Sequence, residues 1–166
     1  MITQDPTPLP AFNGDGNLPP GDYWPSTAEF EERFVSVTSS ESRPLIYQGF
    51  NRHRTELLAQ GVADVAPCLL DGSFTTNKCD PEDIDLVVEV DQSTLLGSER
   101  LQQLLSGPNA KSDFLCDAYP LIVFDDNHPD YKAVTEAGRA YWTKWFGTDR
   151  LGNSKGRVWT NTGGFR

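Results

Sequence analysis

Long apolar runs are missing from this chain of 166 residues: no stretch of eighteen apolar residues occurs, which excludes a membrane-spanning helix. Cysteine is sparse. Cys68, Cys79 and Cys116 are odd in number and widely spaced, with no Cys-x-x-Cys. That pattern argues against a disulfide framework or a zinc site and points to a reducing, cytoplasmic setting. Histidine is scarcer still. His53 and His128 stand far apart with no cysteine neighbour, and each reads as a surface or capping residue rather than a catalytic base. The first ten residues, with Gln4, Asp5 and three prolines, lack the basic and apolar regions of a signal peptide. Positive charge is also short, with 14 basic residues against 24 acidic ones and a net charge of −10. Such a chain is a poor general binder of nucleic acid.

The basic charge that is present is concentrated. From Lys132 to Arg166, seven basic residues stand against Glu136 and Asp149, a net of +5, so the remainder carries −15. With 23% charged and 37% apolar residues the chain is one domain able to bury a core. Residues 1–25 hold six prolines and three glycines, an extended leader. Phe12, Leu18, Tyr23 and Trp24 within it predict packing along the body of the domain, residues 26–166, which ends in a basic helix and tail.

Ser26 and Glu29 form a capping box opening a short helix through Phe30 and Phe34. A longer helix follows over 42–60, with Leu45, Ile46, Phe50, Leu57 and Leu58 near one stripe and Gly61 as its stop. Val65 to Leu70 reads as a strand. Gln92 to Leu105 reads as one helix ended by Gly107 and Pro108. Phe114 to Phe124 is apolar on both faces, as in a central strand, although Pro120 belongs at edges and bulges. A helix from Asn127, His128 and Pro129 runs to Phe146, with Tyr141, Trp142 and Trp145 reading as core packing. Val158 to Thr160 adds a short strand, and the Gly163, Gly164 end reads as loose.

The stretch from Leu70 to Val90 carries the chemistry. Side chains alternate along a strand, so Ile84, Leu86, Val88 and Val90 form a core face while Asp83, Asp85, Val87 and Glu89 share the other. Two carboxylates at this spacing suit a hard cation such as Mg²⁺, which takes one or two carboxylates plus substrate phosphates. Upstream, with nine residues between Ser73 and Asp83, Gly72 and Ser73 make a turn whose backbone can approach an anion and whose hydroxyl can donate. An isolated acidic turn at a strand edge would be solvated; the combination is what gives specificity. Asp117 interrupts the apolar Phe114–Phe124 run, where a carboxylate is costly unless paired or protonated. Asp113, Asp125 and Asp126 read as polar residues at strand ends.

Gly-Ser, a spacer of about ten residues and Asp-x-Asp before an apolar residue resemble the fingerprint of the DNA polymerase beta-like nucleotidyltransferase superfamily. The ending, Tyr141 to Arg150 through Lys155 and Gly156, is similar to the tail of a small stand-alone bacterial and phage branch. Asp71 departs from the pattern, since an apolar residue usually precedes the glycine. The resemblance implies an α+β nucleotidyltransferase fold with a small mixed or antiparallel sheet flanked by helices. It implies Asp83, Asp85 and Asp117 as catalytic, metal-binding carboxylates for Mg²⁺ or Mn²⁺. Gly72 and Ser73 would hold the phosphates of a nucleoside triphosphate, with Lys78, Arg150 and Lys155 as phosphate clamps. The implied acceptor is a tRNA or RNA end or a partner protein. The implied setting is toxin–antitoxin or phage defence, with a cognate antitoxin or defence subunit. A non-catalytic nucleotide-binding or interaction module with the same fold is the alternative.

Overall fold

The computed structural model describes residues 5–107 and 110–165. Pro108, expected as a helix stop, lies outside them, as do the first four residues and Arg166.

The architecture is α+β: a mixed five-stranded sheet with helices on both faces. The strands are β1 (Asp22–Tyr23), β2 (Pro67–Asp71), β3 (Ile84–Asp91), β4 (Cys116–Val123) and β5 (Arg157–Asn161). Their order is β1-β5-β2-β3-β4. β2 runs antiparallel to both β3 and β5, while β3–β4 and β1–β5 are parallel.

Helix α1 (Thr27–Phe30) is capped by Ser26 Oγ, which accepts from the Glu29 N–H. It continues as a wide π-type turn over Glu31–Val35 that sends Phe30 and Phe34 into the core. Helix α2 (Ser42–Ala59) ends where the Val62 N–H reaches Leu57 O and the Gly61 N–H reaches Leu58 O, with Gly61 at φ +91. That closure is a Schellman motif. Its buried stripe is Ile46, Gly49, Phe50, His53 and Leu57, leaving Leu45 and Leu58 outside it. A Cβ at Gly49 would fall onto the carbonyl of Phe114, so the missing side chain lets α2 lie against the short helix α5 (Lys111–Phe114).

Several expectations are corrected. His53 is fully buried, its Nε2 2.8 Å from Leu104 O. The 92–105 helix is two, α3 (Gln92–Leu96) and α4 (Glu99–Leu104), because Asp91 and Ser98 each cap a separate start. β4 is the last strand of the sheet rather than a central one, which accommodates Pro120. It is apolar on both faces because helices cover both. The helical stretch after Pro129 begins at Tyr131 as a π-type turn and becomes α6 (Ala137–Phe146). Tyr141 and Trp145 are 58% and 65% exposed, not core. The Gly163, Gly164 end is tied down: the Gly163 N–H reaches Asp64 O at 2.7 Å and Phe165 stacks on Phe30 at 4.1 Å.

One sheet face meets the main core, where Cys68, Leu70, Ile84, Leu86, Val88 and Ala118 pack with Phe30, Phe50 and Phe74. Leu9 and Leu18 of the leader are buried in it as well. On the opposite face Leu69, Val87 and Leu121 meet Phe146 and Trp142 of α6. Arg139 of α6 grips Glu89 of β3 with bonds of 2.7 and 2.8 Å. Among the described residues no helix is long and apolar enough to cross a membrane.

Candidate functional site

Strand pairing sets three aspartates abreast. Asp71 is the partner of Asp85 across β2 and β3, and Asp85 is the partner of Asp117 across β3 and β4. Direct partners on neighbouring strands point to the same face with Cβ atoms about 5 Å apart. Asp83, two residues before Asp85, adds a fourth carboxylate on that side by alternation. The cluster lies on the face that α6 covers farther along the strands.

Gly72 follows Asp71 with φ +78, a conformation that favours glycine. A Cβ there would fall onto Asp85 Oδ2, so the turn brings bare backbone directly against the central carboxylate. Ser73 opens a single 3₁₀ turn, Ser73–Thr75, and is half-buried beside it. The residues between this turn and β3 are fixed from α2. Arg43, 1% exposed, donates six hydrogen bonds to the carbonyls of Phe34, Phe74, Thr76, Lys78 and Cys79. Asp80 Oδ1 accepts from the N–H groups of Glu41 and Ser42 and from the Ser40 hydroxyl.

Two lysines face the four carboxylates. Lys111 Nζ lies 2.6 Å from Asp83 Oδ2. Lys155, 6% exposed, pairs with Asp71 Oδ1 and reaches Gly72 O at 3.4 Å. Burial pushes the Asp71 carboxyl up, and Lys155 pulls it back. Asp85 is pushed up to about 6, first by burial and then by repulsion from Asp83 and Asp117, against the pull of Lys155 and Lys111. The Tyr119 hydroxyl stands against Asp117; burial, that carboxylate and the fields of Asp85 and Asp83 push it up to about 12. Asp117 Oδ1 is a buried atom with no hydrogen-bond partner among the described residues.

The expected site residues therefore fall into two groups. Asp83, Asp85, Asp117, Gly72, Ser73 and Lys155 come together, with Lys155 as a buried counter-ion rather than a solvent-facing clamp. Lys78 and Arg150 are exposed, and neither forms an ion pair among the described residues. Asp71, Lys111, Tyr119 and Arg43 join the site although none reads as a site residue in the sequence. Asp71 had a signal, since a carboxylate in place of an apolar residue ahead of the glycine demands a partner. Lys111 and Arg43 had none, because their roles arise from tertiary packing.

Among the described residues no three Asp, Glu, His or Cys side chains converge tightly enough to hold one metal ion. Lys111 and Lys155 hold Asp83 and Asp71 on their own ammonium groups. The donor chemistry, though not the present spacing, is of the kind a hard divalent cation takes: it is all carboxylate, one oxygen is orphaned, and two ammonium groups leave two of four negative charges uncompensated.

No curated protein and no solved structure matches the chain. Residues 10–161 match one family model, and across that span the chain belongs to the family described as "Family of unknown function (DUF6932)".

Proposed function

We propose that the chain is a metal-dependent nucleotidyltransferase with the nucleotidyltransferase fold, moving a nucleoside monophosphate from a nucleoside triphosphate to an acceptor hydroxyl. The observation that carries the reading is the row Asp71, Asp85, Asp117 on adjacent strands with the Gly72 backbone pressed against Asp85. Carboxylates gathered beside a glycine turn can hold divalent cations against bound phosphates, which supports metal-assisted phosphoryl transfer.

Asp83, Asp85 and Asp117 would hold Mg²⁺ or Mn²⁺, which when bound neutralises charge on the phosphoryl oxygens. Gly72 and Ser73 seat the β- and γ-phosphates beside Asp85. The acceptor hydroxyl attacks the α-phosphorus; a new P–O bond forms, the bond to the bridging oxygen breaks, and pyrophosphate leaves. Asp117 Oδ1, free of other partners, takes the hydroxyl proton. Lys155 remains on Asp71 and steadies the turn through the Gly72 carbonyl. Lys78 and Arg150, exposed on loops outside the carboxylate cluster, are phosphate clamps by resemblance alone. By family resemblance the acceptor is an RNA end or a partner protein, in a toxin–antitoxin or phage-defence setting.

The two lysine–carboxylate pairs favour a second reading, a nucleotide-binding or interaction module without turnover. Incubation with each α-labelled nucleoside triphosphate, Mg²⁺ or Mn²⁺, and separate RNA and protein pools decides between them. Label should enter one pool with the wild-type chain and not with Asp85→Asn. Triphosphate binding without label in any pool would replace the enzyme reading with the second.

A further inference from the structure

From Asp117 a line of aromatic rings runs to the outer side of α6. Tyr119 stands against Asp117 and packs on Trp142 with ring centroids 5.2 Å apart. Tyr141 meets Trp142 edge-on at 5.2 Å. Trp145 lies parallel to Tyr141, with 6.4 Å between centroids and 4° between planes. The inner members are half-buried, whereas Tyr141 and Trp145 are 58% and 65% exposed. Two neighbouring large rings left in water are a costly surface, which suits a site that another molecule covers.

The neighbours specify that molecule. Tyr141, Lys144 and Trp145 are spaced i, i+3, i+4 and so share one helix face. Lys144 is exposed on the same helix face beside the rings, and Lys132 and Arg150 are exposed at either end of the helical stretch; the exposed acids are Glu136 and, at the Lys132 end, Asp125, Asp126 and Asp130, away from the two rings in sequence. Parallel ring faces with a flanking cation complement flat bases joined by phosphates. The chain's acidic remainder repels a duplex's dense charge, so affinity must come from stacking, which only unpaired bases offer.

We propose that Tyr141 and Trp145, with Lys144 beside them, seat an unpaired nucleotide of a single-stranded polynucleotide whose terminal hydroxyl extends over Trp142 and Tyr119 toward Asp117. The proposal rests on the nucleotidyl-transfer reading and names the acceptor for it.

The test is fluorescence anisotropy of the full chain with labelled oligonucleotides of about eight nucleotides, a length within the usual span of one stacking groove. Single-stranded RNA, single-stranded DNA, the matching duplex and inorganic polyphosphate are compared without triphosphate or divalent cation. Single strands should bind more tightly than duplex or polyphosphate. Tyr141→Ala and Trp145→Ala should each raise Kd about tenfold, and Trp145→Phe should restore most of the loss. RNA against DNA binding identifies the sugar. Equal binding of duplex, full displacement by polyphosphate, or indifference to both alanine variants overturns the proposal. So does sedimentation showing a dimer that Trp145→Ala dissociates, because the rings would then serve a second copy of the chain. Since no catalysis enters this assay, ring-dependent binding without label transfer would sink the reaction and leave the seat standing. Label transfer without ring dependence would do the reverse.

Discussion

Asp71 and Asp85 face each other across β2 and β3, two carboxylates on one sheet face at the point where the Gly72 turn closes over them. An ordinary core would not place them so. The two carboxylates repel each other, with the Lys155 ammonium on Asp71 offsetting part of that, and the consequences can be measured without a substrate.

Asp85 has its pKa raised from the ordinary 3.8 to about 6. The folded chain keeps this proton longer than the unfolded chain, so the contribution is fully present below about pH 4 and is lost as pH rises through about 6. Asp85→Asn removes the penalty. In the metal-free protein it should raise the unfolding free energy by on the order of 3 kcal/mol near pH 7.5, and by almost nothing near pH 4. Urea titrations at the two pH values check this; an equal change at both would contradict it.

Lys155→Met should destabilise the fold by on the order of 3 kcal/mol, because it leaves Asp71 buried without its cation. The double variant Asp71→Leu with Lys155→Met should recover most of that loss, since an apolar pair of similar volume replaces the ion pair. A double variant as unstable as the two singles added together would show that the residues do not act as a pair.

Gly72→Ala meets two obstacles at once, a positive φ and the Asp85 carboxylate in the place of the new methyl. It should cost roughly 2 kcal/mol or more and weaken triphosphate binding. Thermal unfolding and nucleotide titration read the two effects separately. Unchanged values in both would place the turn away from the site.

Arg43 is the residue on which the 74–79 loop depends. Arg43→Lys keeps the charge but cannot span five carbonyls, and should destabilise by about 3 to 5 kcal/mol. Hydrogen exchange should show the loss first in residues 74–79. Exchange that quickens elsewhere while this loop stays protected would contradict the assignment.

Local pattern made much of this legible. Alternation in Ile84–Val90 gave a core face and an acidic face, and the strand pairing bears out the apolar half through Leu86 and Val88. Caps at Ser26 and the stop at Gly61 follow from backbone chemistry within a few residues. What pattern could not supply was pairing between distant segments. β4 reads as central because apolar residues line both faces, yet both are covered by helices at the end of the sheet. His53 reads as a surface residue because a polar side chain needs a partner, and its partner, Leu104 O, lies 51 positions away. Lys155 reads as a phosphate clamp, and only the return of its loop through β5 shows it buried on Asp71.

The central claim is that the carboxylate row takes a divalent cation together with a nucleoside triphosphate. Titration of Mn²⁺ into the full chain beside a non-hydrolysable triphosphate, followed by electron paramagnetic resonance, tests it directly. Bound Mn²⁺ should be seen with the wild-type chain and weakened at least about tenfold in both Asp85→Asn and Asp117→Asn, as expected when a ligand carboxylate is lost. Binding that is absent in the wild type, or equal in all three, would contradict the account.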